Sequence, residues 1–192
     1  MKLTLQYKPN IWFTSDFHLS HSNVINHDSR PFDNVYYMHK CIINNWNRLV
    51  RKDDIVFYLG DLTLGDWRKA KQIVDQLKGK IYFITGNHDK QSKIERINRF
   101  ELVEDYIELN IDDKGKKYQL ILCHYPLLTW NKKHFGTIHL HGHSHGNLMK
   151  EFPEYYNGNV IDISCNLWNY EPIEFKEILK LIEEKKEDAN GI

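Results

Sequence analysis

Five short segments of this 192-residue chain carry carboxylates, imidazoles and an amide in an order that suggests chemistry. They are Asp16-Phe17-His18, Gly60-Asp61, Gly86-Asn87-His88-Asp89, His124 and Gly142-His143-Ser144-His145. Carboxylate, imidazole and amide oxygen without thiolate make a donor set for a divalent cation of intermediate hardness, such as Mn²⁺, Fe²⁺, Zn²⁺ or Co²⁺. The set suits neither a structural zinc finger nor a calcium loop. A lone histidine reads as an ordinary hydrogen-bonded residue, so the weight lies on the segments taken together.

Such groups meet only if folding brings the ends of separate elements to one place. Apolar runs at 11–15, 55–59, 81–85 and 117–123 read as strands, and each runs directly into one of the first four segments. Further strands are expected at 3–7, 102–110, 137–140 and 160–164, with 102–110 and 117–123 forming an antiparallel hairpin around Asp112-Asp113-Lys114-Gly115. Apolar steps of three and four predict helices over 33–50, capped by Asp33, and from Trp67 to Leu77, capped by Asp66 and ended by Gly79. A short charged helix is expected at 90–97, and a last one carries Phe175, Ile178, Leu179 and Ile182 on one stripe before dissolving into the charge run 183–188, which reads as a solvated helix end. Strand, helix, strand over 55–85 predicts a parallel crossover, hence an α/β fold, here as one domain over 1–192. In such sheets polar groups gather beyond the carboxyl ends of strands, and the glycines before Asp61, Asn87 and His143 would permit the tight turns this requires.

The ordered segments resemble the calcineurin-like metallophosphoesterases, whose pattern is D-x-H, G-D, G-N-H-[DE], H and G-H-x-H, across about two thirds of the chain from Asp16 to His145. The resemblance implies an αββα four-layer sandwich of two mixed sheets flanked by helices, with a dinuclear metal centre. Carried over residue by residue, Asp16, His18, Asp61 and His145 would hold one ion and Asp61, Asn87, His124 and His143 the other, with Asp61 bridging. The cofactor is then a pair of divalent ions, Mn²⁺ first, with Fe, Zn, Co, Ni or Mg as alternatives. Held about 3.5–4 Å apart, such ions clamp a phosphoryl oxygen and share a hydroxide that attacks phosphorus in line. Two divalent ions and two aspartates leave a double positive charge, which matches one hydroxide and one phosphodiester anion; a monoester dianion needs further positive help.

Within this resemblance His88 is the catalytic residue, contacting phosphate or protonating the leaving oxygen, and Asn87 also lies at the substrate. The phosphoprotein-phosphatase branch reads G-D-x-x-D-R-G, whereas this chain reads Gly60-Asp61-Leu62-Thr63-Leu64-Gly65. Leu64 replaces the carboxylate that orients the histidine there, which argues against a Ser/Thr protein phosphatase and leaves Asp89 to steady His88. Arg30, in Asp28-Ser29-Arg30-Pro31-Phe32, is the expected phosphate clamp, because a guanidinium suits bidentate contact. His21 and Asn23 are weaker candidates beside the ligands, and Trp130, Trp168 and Tyr170 are candidates for stacking on a base.

The plainer readings stand beside these. His139 and His141 extend an alternation through His143 and His145 that also reads as a metal-scavenging tract; we take His141 to support the site, and His139, His27, His39 and His134 as structural. Cys123 precedes His124, but adjacent strand residues face opposite ways, so Cys123 is expected to be a buried hydrophobe.

Lys plus Arg total 26 and Asp plus Glu total 26, so the formal charge is zero and nothing global draws the chain to long nucleic acid or an anionic bilayer. Apolar runs fall far short of the roughly 20 residues of a membrane span. The three cysteines lack CxxC spacing and the start lacks the apolar stretch of a signal peptide, so a cytoplasmic location is expected. The expected function is hydrolysis of a nucleotide or other small phosphodiester, with phosphomonoesterase action on a small metabolite second. A non-catalytic metal-binding scaffold is the alternative from another class, and it would show gaps at the ligand positions, of which there are none.

Overall fold

The computed structural model describes residues 1–190, with side chains through residue 187. One sheet has the order β10 (Ile173–Glu174), β2 (Ile11–Thr14), β3 (Ile55–Leu59), β4 (Lys80–Ile84), β5 (Phe100–Glu104). The other runs β1 (Lys2–Gln6), β6 (Tyr106–Asp113), β7 (Lys116–Cys123), β8 (Ile138–His141), β9 (Val160–Asp162). β2 to β5 are mutually parallel with β10 antiparallel, while β7, β8 and β9 are parallel with β6 antiparallel to β7. Both sheets are therefore mixed, as the expected sandwich requires, and β3 is buried along its whole length.

Between the sheets, Phe13, Phe57, Leu59 and Ile84 pack against Ile107, Leu109, Leu120, Leu122 and Leu140, and Phe175, Ile178 and Ile182 of α6 (Phe175–Asn190) join the same cluster. On the outer face of the first sheet, Val56, Tyr58, Ile81 and Phe83 meet α2 (Val35–Leu49), α3 (Trp67–Val74) and α4 (Gln91–Ile97) through Met38, Ile42, Trp46, Ala70, Ile73 and Ile94. Burying each such side chain contributes about 1.5–3 kcal/mol. Trp46 is fully buried and its indole N–H donates to the Lys78 carbonyl at 2.8 Å, so its polar atom costs nothing. The outer face of the second sheet has a thinner cover. Ile121 and Val160 lie under Trp130 and Tyr156, with α5 (Asn147–Glu151) and a 3₁₀ turn at Pro153–Asn157 above them.

Three expectations need correction. The cap of α2 is Asn34, whose Oδ1 accepts from the N–H groups of Tyr36 and Tyr37 at 3.0 and 3.3 Å, and not Asp33; Asp66 caps α3 as expected. The run 102–110 is not one hairpin strand. It breaks at Asp105, so β5 pairs in parallel with β4 in one sheet and β6 pairs with β7 in the other. The charge run 183–188 forms the end of α6, as its charge suggests, but the helix does not dissolve at Glu183 and runs on to Asn190.

The two sheets join at their carboxyl ends. Ser15, just after β2, bridges to Ser164, just after β9, and the Cys165 N–H donates to the Ser15 carbonyl at 3.1 Å. The loops beyond β2, β3, β7 and β8 consequently share one seam.

Candidate metal centre

The seam carries two groups of convergent donor atoms. Asp16, His18 and His145 form one and Asp61, His124 and His143 the other, with the donor atoms of each within 4.8 Å of one another. Each draws on both sheets, since Asp16, His18 and Asp61 follow strands of the first sheet and His124, His143 and His145 follow strands of the second.

The backbone is bent to achieve this. Asp16, His18, Asp61, His143 and His145 have φ of 60°, 50°, 57°, 67° and 51°. Left-handed backbone at a non-glycine residue costs about 1–3 kcal/mol and concentrates at functional sites. Of the glycines expected to supply turns, Gly60 does so with φ of 88°. Gly142 has an ordinary φ and is needed for another reason: a Cβ there would enter the Asp16 carboxylate.

Asp61 Oδ2 stands between the groups, 3.6 Å from His124 Nε2, 3.7 Å from His18 Nε2 and 3.9 Å from His88 Nε2. His18 Nε2 and His145 Nε2 are 3.2 Å apart, with Asp16 Oδ1 at 3.8 and 3.3 Å from them. His124 Nδ1 donates to the Leu59 carbonyl at 2.8 Å, which leaves Nε2 as a lone pair, and that lone pair faces Asn87 Oδ1 at 3.0 Å. Two acceptors pointed at each other repel unless a cation lies between them. Cis donors each about 2.1 Å from one ion stand about 3 Å apart, so the residues present fit a divalent metal.

The charge balance agrees. Burial would push the Asp16 carboxyl up, but His145 and His18 outweigh it and hold it well below the ordinary range. Burial would lower His145, yet Asp16 and Asp28 raise it to about 10, a measure of the negative potential at the place a cation would take. His143, nearer the surface, is lowered by partial burial and by His124.

Asn87 and His88 lie exposed at the mouth, and the His88 N–H donates to Asp61 Oδ1 at 3.0 Å. Asp89 does not steady the His88 ring. Its carboxylate accepts from the N–H groups of Asp61, Leu62 and Gly86 at 2.7, 3.0 and 2.9 Å, folding the two loops together, and burial together with Asp61 raises it to about 6. Arg30 is no open phosphate clamp. Its side chain is fully buried, donating to the Asp16 and Phe17 carbonyls at 3.0 and 2.9 Å and to the Asp28 carboxylate at 2.8 Å. The stacking expectations also fail. Trp130 lies in the outer core with its N–H on the Thr137 carbonyl, Trp168 donates to the Asp162 carbonyl, and Tyr170 is buried edge-on to Phe32. The His21 ring is 6.2 Å from that of His18, and Asn23 is an exposed residue at the start of α1 (Asn23–His27); neither joins a group. His141 is buried, with Nδ1 donating to the Gly142 carbonyl at 2.8 Å, and His39 Nε2 accepts from the Ser20 N–H at 2.9 Å.

Two carboxylates, Asp28 partly buried and Asp162 fully buried, had no sequence motif to announce them. Asp28 accepts from His145 Nδ1 at 2.6 Å. Asp162 accepts from Ser144 Oγ, the Gly146 N–H and Ser164 Oγ at 2.6, 2.9 and 2.6 Å, and Ser164 Oγ is also 3.1 Å from Asp16 Oδ2.

A two-sheet α/β sandwich with paired carboxylate–imidazole groups at its strand ends defines a class of metal-dependent phosphoesterase folds. Residues 9–188 match the family described as calcineurin-like phosphoesterase, and the chain belongs to that family. It is 38% identical over 180 residues to the uncharacterized protein MJ1445 of Methanocaldococcus jannaschii, covering 92% of this chain and 93% of that one. It is 26% identical to the gene 66 protein of Mycobacterium phage D29, over 93% of this chain and 98% of the phage protein. Among solved structures, AQ665 from Aquifex aeolicus superposes with a TM-score of 0.66 at 26% identity, over 90% of this chain and 99% of that one.

Proposed function

We propose that this protein is a phosphodiesterase acting on a nucleotide or another small phosphate diester, with two divalent cations, Mn²⁺ first among them, held by Asp16, His18, Asp61 and His145 and by Asp61, Asn87, His124 and His143. The observation that carries the reading is the place of Asp61 Oδ2, within 3.6–3.7 Å of an imidazole nitrogen from each group, where one carboxylate can serve both. The chemistry that such cations supply when bound is neutralisation of phosphoryl charge and acidification of water.

The chain's own residues do the rest. His88 stands at the mouth with its side chain 40% exposed, within reach of a bound phosphate, and is the acid for the leaving oxygen; a positioned acid contributes about 10²–10⁴-fold. Asn87 places its amide beside it. The preference for diesters rests on charge: Arg30 is spent on Asp28 and two carbonyls, so it adds nothing to the positive charge a dianion would need.

The test is Mn²⁺-dependent hydrolysis of bis-p-nitrophenyl phosphate against p-nitrophenyl phosphate, followed by a panel of cyclic nucleotides, dinucleotides and sugar phosphates. Diester preference is expected, with His88→Ala losing at least about 100-fold in kcat. Faster turnover of the monoester overturns the diesterase reading, and no turnover of either by metal-loaded protein favours a binding scaffold.

A further inference from the structure

Asp28 belongs to none of the recognised segments, yet it makes a 2.6 Å contact to His145 Nδ1. The partner geometry fixes the ring: Nδ1–H donates to Asp28 Oδ2, so Nε2 presents its lone pair to the point shared with Asp16 Oδ1 and His18 Nε2. Asp28 is fixed in turn, because Arg30 donates to the same oxygen through Nε and Nη2 at 3.0 and 2.8 Å. The remaining guanidinium donors take the Asp16 and Phe17 carbonyls and the Met38 sulfur. One buried cation therefore ties the backbone of one candidate ligand to the imidazole of another, 129 residues further along the chain and in a loop of the opposite sheet.

We infer that Asp28, gripped by Arg30, is a positioning residue that orients His145 and strengthens it as a donor in the Asp16/His18/His145 group. The two candidate sites are unequal in this respect. His124, in the other group, gives its Nδ1–H to a neutral carbonyl, whereas His145 gives its own to a carboxylate. A carboxylate behind an imidazole makes the far nitrogen more basic and locks the tautomer, and losing such a partner typically costs about 10–100-fold in metal affinity. Arg30 acts one step further back, by holding that carboxylate in place, so the inference also gives the arginine a role that its burial denies it at the substrate. It rests on the reading of these clusters as a metal centre.

The experiment is calorimetric titration of the full chain with Mn²⁺ after treatment with EDTA and its removal, for wild type, Asp28→Ala and Asp28→Asn. Wild type is expected to bind two ions. Asp28→Ala should weaken one of them by about 10–100-fold and leave the other within about threefold, and Asp28→Asn, which can still accept from Nδ1 but lacks the charge, should fall between. A general loss of structure would instead weaken both ions together, and thermal unfolding of the metal-free variants detects it. If Asp28→Ala does not fold, Asp28→Asn decides, since the charge itself is part of the claim. Two ions bound with unchanged affinities by a folded variant overturn this inference alone, whereas a wild type that binds no Mn²⁺ overturns the metal centre beneath it.

Discussion

His139 holds its two ring nitrogens between partners that demand opposite roles. Nδ1 donates to the Ile121 carbonyl at 3.1 Å, and Nε2 accepts from the Leu127 N–H at 3.1 Å. Only the neutral ring satisfies both, and burial, with His141 beside it, pushes its pKa down to about 3. In the unfolded chain the group titrates near 6.5. The unfolded state thus binds the proton first, and the stability this residue supports is complete above pH 6.5 and falls as pH drops toward 3, by up to about 1.4 kcal/mol per pH unit. Between pH 7 and pH 5 that amounts to about 2 kcal/mol. His139→Gln keeps a donor and an acceptor but cannot titrate, so urea unfolding at the two pH values should show a pH loss smaller by about that amount; an unchanged loss would sink the account. Residue types alone made His139 structural but could not show why, because both of its partners are backbone groups, which leave no mark in a motif. Asp28 and Asp162 carry no mark for a related reason: each is a single aspartate whose link to the site, His145 for one and Ser144 and Gly146 for the other, lies in another loop.

At the scale of elements, period and punctuation predict the existence of strands and helices better than their ends. The steps of Met38, Ile42 and Trp46 place α2 correctly, but two polar residues, Asp33 and Asn34, compete for its cap. The backbone decides: Asn34 is extended, with φ of −163° and ψ of 172°, and its side-chain Oδ1 reaches two orphan N–H groups. Asn34→Ala is expected to cost about 1 kcal/mol and Asp33→Ala less than about 0.5 kcal/mol. For a chain of this size the first means a fall in Tm of about 2–4 °C by calorimetry. Equal falls for the two would return the cap to Asp33. The same limit explains the run 102–110. Apolar residues stand on both sides of the polar pair Glu104-Asp105, and one such pair inside a strand-like run does not record that the chain leaves one sheet for the other there.

The whole molecule places its polar groups at the one edge where both sheets end. Five segments ordered along 130 residues meet because β2, β3 and β4 in one sheet and β7 and β8 in the other carry their carboxyl ends to the Ser15–Ser164 seam. That convergence was legible in the sequence, since four of the five segments directly follow an apolar run; the pairing of sheets was legible only through the family resemblance. Its cost is also visible, in five left-handed residues and in acceptors that face one another. A cation bound at the seam by groups from both sheets would relieve this repulsion in the folded state and find no such site in the unfolded one, so it must stabilise the fold. At 100 times Kd each ion adds about 2.7 kcal/mol, which for this length corresponds to about 5–10 °C in Tm. Wild type scanned in excess Mn²⁺ should therefore melt well above wild type in EDTA. Asp61→Asn, which removes the carboxylate standing between the groups, should lose most of that difference while melting in EDTA about as wild type does, because Oδ1 can still accept the His88 N–H and a buried charge is removed. Coincident melting curves for wild type with Mn²⁺ and with EDTA would mean that the strain at the seam serves something other than a metal.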